Sequence, residues 1–176
     1  MTSSPSQLAA AALPADRVAR VALAVARMLA GLLWIQNLSW KSPTGPNFGG
    51  LHEWTENAVN HPVFAPWAWT VEHIVLPNFA AFAWMTLIVE TCLGAFLLVG
   101  LATRFWAAIG LAQTVAISLS AVNTPGEWFW SYALMFALHL AILGAAAGRT
   151  FGLDGVLRPA WRTRRGALAK LLTAVS

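Results

Sequence analysis

Four long apolar stretches divide the chain, at 17–40, 79–101, 105–122 and 128–147. Each approaches the ~20 residues that a helix needs to cross a bilayer. The breaks between them read as turns. Lys41 and the SPTGPNFGG run close the first stretch, Thr103-Arg104 separates the second from the third, and Asn123-Thr124-Pro125-Gly126-Glu127 separates the third from the fourth. Residues 41–77 form a longer loop. Within it the pattern predicts two short helices, at 51–60 and at 66–76, the second beginning on a first-turn proline and stopping at Pro77. In the second, Trp67, Val71, Ile74 and Val75 recur at helical spacing with Glu72 and His73 off that face. That suits either a helix lying in the membrane surface or a lid packed on the bundle.

Inside the apolar stretches stand Arg27, Glu90, Gln113 and His139, one in each. A lone carboxylate in hydrocarbon is costly unless paired or neutralised. Glu90 therefore calls for a partner, and Arg27 is the candidate in kind. Counted from the basic edge at ~1.5 Å per residue, all four fall roughly 15 Å deep, near the midplane. Helical spacing places Arg27 with Gly31 and Trp34, Glu90 with Thr86 and Gly94, Gln113 with Gly110, and His139 with Tyr132 and Met135. Small residues beside polar ones favour close packing of membrane helices.

Composition agrees with this pattern. Of 176 residues 58% are hydrophobic and only 10% charged, against roughly one quarter charged in soluble domains, and mean hydropathy is +0.62. The fold class expected is all-α: an integral membrane four-helix bundle whose long outer loop, 41–77, carries short interfacial helices. Residues 1–16 read as a cytoplasmic tail, 17–148 as the four-helix transmembrane domain and 149–176 as a basic cytoplasmic tail. Within that tail 162–175 reads as either a basic amphipathic helix on an anionic leaflet or a solvated end. Arg17, Arg20, Arg104 and six basic residues of the tail share one side, and Lys41 stands alone on the other. Both termini are therefore expected in the cytoplasm. A net charge of +4 distributed in this way follows membrane topology and does not point to nucleic acid.

The chemistry available is narrow. The single cysteine, Cys92, excludes an internal disulfide and a cysteine metal cluster. His52, His61 and His73 share the outer loop with Glu53, Glu56 and Glu72, but their spacing fits no metal motif, and no metal is expected. Most of the ten tryptophans read as interfacial anchors, with Trp34 and Trp84 deep enough for a pocket. The polar layer supports two readings. In one, Arg27 and Glu90 pair only to pin the helices together. In the other, Arg27, Glu90 and His139 form a reactive centre, and Trp34, Gln113, Tyr132 and Met135 line a flat slot for a quinone headgroup. In that second reading Arg27 holds Glu90 and polarises a quinone oxygen, while His139 relays a proton. A small transporter or proton path is a third possibility.

Four pieces of sequence resemble one family: Arg27 with GLLW and Lys41, the ETCLGAFLLVGLATR run at 90–104, LMFALHL around His139, and AGRTFGLDG at 147–155. Together they resemble the DoxX/DoxD family of small four-helix bacterial membrane proteins. The tryptophan-bearing outer loop is similar to the DoxD branch, the small subunit of thiosulfate:quinone oxidoreductase. The resemblance implies the bacterial cytoplasmic membrane, a second protein subunit or homo-oligomer, and electron delivery to quinone. It supports the fold better than the reaction.

Overall fold

The computed structural model describes residues 14–176. Most of the expected tail, residues 1–13, lies outside the described residues. The structure is all-helical, with no strand among the described residues.

Helix α1 spans Pro14–Asn37, and its residues 17–22 are exposed. Helix α2, Asn47–Asn60, starts with a kink at Phe48, Gly49 and Gly50 and becomes regular near the expected start of the first short helix. Helix α3, Ala65–Thr70, does not end at Pro77. It passes through a wide π turn at Val71–Val75 and a 3-10 turn at Leu76–Asn78 into α4, Phe79–Val99. The expected stop is corrected: a proline at the first turn of a new helical segment has no intrahelical N–H to lose. Asn78 Nδ2 donates to the Ile74 carbonyl, 2.9 Å, and covers a group that the break in the ladder would leave free.

Helix α5, Thr103–Ala121, and α6, Phe129–Ala145, follow, and then α7, Leu153–Thr163, and α8, Ala167–Val175. Helix α1 packs along α4 and against α6, and α5 packs against both α4 and α6. Among the described residues two stretches are long and apolar enough to cross a membrane, Arg17–Asn37 and the continuous Ala65–Val99. Helix α6 is apolar but has 17 residues, roughly 26 Å at ~1.5 Å per residue. Helix α5 is diluted by Gln113, Thr114, Ser118 and Ser120. Leu33 (58% exposed), Ile88 (60%) and Leu134 (56%) point away from the body, on α1, α4 and α6. That much large apolar surface on the outside suits hydrocarbon rather than water.

The α1–α4 contact sets the register of everything buried. A Cβ on Gly31 would come within 2.9 Å of the Gly94 carbonyl, and one on Gly94 within 2.6 Å of Ile35 Cγ1. The absence of both side chains lets the two backbones close. Contacting positions run in opposite directions along the pair: Asn37 meets Glu90, Gly31 meets Gly94 and Leu98, and Arg27 meets Gly100.

The two ends of the body differ. At one end α2 and α3 cover the helices, tied down by Trp67 Nε1 donating to Ser120 Oγ (3.0 Å) and Asn123 Nδ2 donating to the Pro62 carbonyl (3.0 Å). At the other, Asp154 at the start of α7 is fully buried. Its Oδ1 accepts from the Ala102 N–H (2.8 Å) and its Oδ2 from the Thr103 N–H (2.9 Å), and its own N–H donates to the Gly100 carbonyl (2.8 Å). The solvated-end reading of the tail is corrected here. Residues 153–163 and 167–175 are two helices packed on each other, and α8 also contacts α5. The helix expected across 162–175 is shorter, because Arg164 is extended and Gly166 takes a positive φ of +132°.

Candidate functional site

Glu90 sits on the inner side of α4 with its side chain fully buried. Three side-chain donors converge on it, two from the end of α1 and just beyond it, and one from α5. Lys41 Nζ forms an ion pair with Oε2, Asn37 Nδ2 reaches the same oxygen at 3.3 Å, and Gln113 Nε2 reaches Oε1 at 3.4 Å. Lys41 lies beyond the end of α1 with its side chain 3% exposed. Burial presses the Lys41 ammonium below its ordinary value, and the charge and hydrogen bond of Glu90 oppose that.

A second buried network stands beside the first. Trp34 Nε1 on α1 donates to His139 Nε2 on α6 at 2.9 Å, with the rings edge to face and 5.8 Å between centroids. His139 Nδ1 lies 2.8 Å from the Met135 carbonyl. Nε2 accepts, so Nδ1 carries the proton and the imidazole is neutral with both nitrogens engaged. Gly110 makes room for this ring, since a Cβ there would lie 2.2 Å from His139 Cδ2. Higher on α6, Tyr132 donates its hydroxyl proton to Glu127 Oε2 in the α5–α6 turn.

Both networks border one cavity of about 720 Å³, within the roughly 300–1,000 Å³ range of ligand sites. Its polar wall holds Glu90, Lys41, Asn37 and Gln113, and its aromatic and apolar walls include Trp34, Trp67, Tyr132 and Met135. Leu51 and Trp54 from α2, with Val71 and Val75 from the π turn, line it on the side of the outer loop. The outer loop is thus a roof on this space, as in the lid reading.

Six of the seven predicted site residues line the cavity: Glu90, His139, Trp34, Gln113, Tyr132 and Met135. Arg27 does not. The expected Arg27–Glu90 pair is corrected: Arg27 Nη2 donates to the Phe151 carbonyl at 2.9 Å, and the buried Asp154 carboxylate is the charge acting on it. The cause is the α1–α4 register. Glu90 lies level with Asn37, ten residues along α1 from Arg27, roughly 15 Å at ~1.5 Å per residue. Trp84 also lies elsewhere, 51% exposed and against the Phe48 ring.

Lys41 and Asn37 are the residues that the sequence reading missed. A signal was available: Ala30, Trp34, Asn37 and Lys41 follow the 4-3-4 spacing of one helical face, and all four line the cavity. The bonds Leu38 N–H to the Ile35 carbonyl and Lys41 N–H to the Leu38 carbonyl continue the turn past the helix end. Of the remaining candidates, His52 lies 3.5 Å from Glu56 and His73 stacks on Trp69. Among the described residues no three His, Cys, Asp or Glu side chains come together as a metal site.

The family model described as TQO small subunit DoxD, the small subunit of thiosulfate:quinone oxidoreductase, matches residues 56–174. The matched stretch contains Glu90, Gln113, Tyr132, Met135, His139 and Asp154, whereas Trp34, Asn37 and Lys41 precede it. No curated protein and no solved structure matches the chain at a significant level.

Proposed function

The chain belongs to the DoxD family of membrane subunits, and we propose that it supplies the quinone-binding part of a thiosulfate:quinone oxidoreductase-like complex. As a small subunit it implies a partner protein. In this reading α1, α4, α5 and α6 form a four-helix transmembrane bundle in the cytoplasmic membrane. Both termini lie inside and the α2–α3 roof lies outside. The roof sits at the end bearing Lys41, and Arg104, Arg149 and the basic helices sit at the opposite end, which suits the rule that basic residues stay on the cytoplasmic side.

The observation that carries the quinone reading is the convergence of Lys41, Asn37 and Gln113 on Glu90 in the wall of an aromatic-lined cavity. A quinone headgroup is flat and apolar with two carbonyl acceptors, and it takes up electrons and protons when reduced. Trp34 and Trp67 offer flat walls. Gln113 has a second amide N–H beyond the one directed at Glu90, and Lys41 has further N–H donors beyond its ion pair. Glu90 and Lys41 share a proton-bearing contact at the cavity wall. His139 holds the Trp34 ring in place and keeps its own proton toward Met135, so its part is positioning. This replaces the relay expected of it. Arg27 stands outside this centre.

A scaffold role is the second reading, and the full engagement of both His139 nitrogens favours it. Titrating the full chain in mild detergent with a soluble quinone, read by tryptophan quenching, separates the two. The quinone reading expects saturable quenching that weakens about tenfold in Gln113→Leu, the loss of one hydrogen bond to a buried site, and is unchanged in Trp84→Phe. Absence of saturable quenching, or equal affinity in Gln113→Leu, overturns it and leaves the scaffold.

A further inference from the structure

Helix α7 turns its apolar side outward. Its inward side is fixed by Asp154, whose carboxylate holds the Ala102 and Thr103 N–H groups, and by Arg158 Nε donating to the Thr173 carbonyl at 3.4 Å. With that side fixed, Leu153, Val156, Leu157 and Ala160 form an exposed stripe at helical spacing, and Val156 is 73% exposed. A surface helix in water buries such a stripe. Here the patch grows instead. Phe151 (70% exposed) and Val99 (46%) extend it onto the end of α4, and both line a groove of about 440 Å³ with Val156 and Arg149. Helix α8 likewise exposes Leu168 and Leu171, with Ala169 turned inward.

The charge around this patch has one sign. From Gly155 to Ser176 the chain carries Arg158, Arg162, Arg164, Arg165 and Lys170 and no acidic residue. Arg149 is held below its ordinary value first by burial, then by Arg158 and Arg104, with Arg162 acting in the same direction. Asp154 offsets them, but its oxygens already accept two backbone N–H bonds. An apolar stripe bordered by cations is the pattern of a helix that lies in a lipid headgroup boundary. Its continuity through Val99 with the outward apolar side of α4 favours lipid over a protein partner.

We propose that α7 and α8 rest in the headgroup boundary of an anionic leaflet. Val99, Phe151, Leu153 and Val156 lie against acyl chains, and Arg149, Arg162, Arg164 and Arg165 meet lipid phosphates. The two helices thereby fix the height of the whole body in the membrane. The inference does not depend on quinone binding.

Spin labels on the full chain test it. Val156→Cys and Arg164→Cys are each made in a Cys92→Ala background and reconstituted alone in vesicles of phosphatidylcholine with phosphatidylglycerol. The label at 156 is expected to collide with oxygen severalfold more than with a water-soluble nickel chelate, and the label at 164 to show the reverse. Native mass spectrometry from detergent is expected to retain phosphatidylglycerol severalfold over phosphatidylcholine. Arg162→Gln/Arg164→Gln/Arg165→Gln is expected to lose that preference with an unchanged melting temperature. A label at 156 open to the nickel chelate, as on a face awaiting a protein, overturns the proposal. So does equal retention of the two lipids by the wild type.

Discussion

Two buried carboxylates organise this molecule, and they are held in opposite ways. Asp154 is bound by backbone: two N–H groups of the α4–α5 turn occupy its oxygens. Its surroundings leave no space, since a Cβ on Gly148 would meet Asp154 Oδ2 at 2.4 Å and one on Gly100 would meet Arg27 Nη1 at 1.4 Å. Gly100 also holds a left-handed conformation, φ +69°, that a side chain would strain. Glu90 is bound by side chains alone, from Lys41, Asn37 and Gln113, and it borders a cavity. A carboxylate locked by backbone and packed without space staples a turn. A carboxylate held by movable donors beside open space can exchange those donors for a ligand. The comparison marks one centre as a staple of the fold and leaves the other as the one where the proposed chemistry has room to act, although both are equally buried.

The largest effect is expected at the staple. Asp154→Ala removes two acceptors from buried N–H groups and the carboxylate that faces Arg27. Each unpaired buried N–H costs about 1–3 kcal/mol, and the loss of the carboxylate also removes the charge that favours the Arg27 guanidinium. The folded yield in detergent should fall to near nothing, and size-exclusion chromatography should show aggregate. A monodisperse Asp154→Ala protein with a near-normal melting temperature would remove the distinction between the centres.

Next comes the other carboxylate. Glu90→Gln strands the Lys41 ammonium but keeps two polar atoms beside a cavity, so a loss of about 2–3 kcal/mol is expected, below the full cost of a dry broken pair. Lys41→Met combined with Glu90→Gln should recover most of that stability, because no charge is left unpaired. Quinone binding should stay lost in the double variant. Thermal unfolding and quinone titration on the same preparations separate the two roles of the pair. Recovered binding in the double variant would assign Glu90 to the fold alone.

How much of this was legible beforehand depended on which physical rule governed each residue. The apolar stretches predicted the four long helices, because helical periodicity and length survive any error in register. The cavity side of α4, α5 and α6 was legible through Glu90, Gln113 and His139, whose faces follow from spacing within one helix. The pairing of Arg27 with Glu90 was not, because it depended on the relative height of two helices. A depth counted from the basic edge assumes that every helix begins at the same height, yet α1 begins at Pro14 and residues 17–22 are exposed. Gly31 against Gly94 and Leu98 sets the true register; the two glycines mark faces that can pack closely, but neither helix alone shows at what height they meet. Lys41 was assigned to the outer water because it follows the span. Its long stem returns the ammonium to Glu90, as snorkelling side chains do in reverse. Asp154 drew no notice because its partners are backbone groups, which carry no residue identity.

A smaller effect should follow at the aromatic network that stands beside Glu90. Trp34→Phe keeps the ring but removes the N–H that His139 accepts. About 1 kcal/mol of stability should be lost, the net worth of one buried hydrogen bond. In the proposed positioning role His139 acts through Trp34, so His139→Leu should weaken quinone binding less in the Trp34→Phe background than in the wild type. A double-mutant cycle measures this on both stability and affinity. If His139→Leu abolishes binding while Trp34→Phe leaves it intact, the imidazole meets the ligand directly and belongs with Glu90 as a reactive group.

The smallest effect sharpens the boundary of the staple. Thr103 lies at the start of α5, fully buried, and its backbone N–H serves Asp154 while its hydroxyl has no hydrogen-bond partner among the described residues. A buried hydroxyl without a partner has already lost its bond to water and gained nothing for it. Thr103→Val keeps the shape and discards the hydroxyl, so stability should stay within about 1 kcal/mol of the wild type, on either side. The melting temperature should hardly move while Asp154→Ala fails to fold. If Thr103→Val instead costs more than about 2 kcal/mol, the hydroxyl is bonded in the folded protein. The Asp154 centre would then hold a side-chain donor as the Glu90 centre does, and closure by backbone alone would no longer set the two apart.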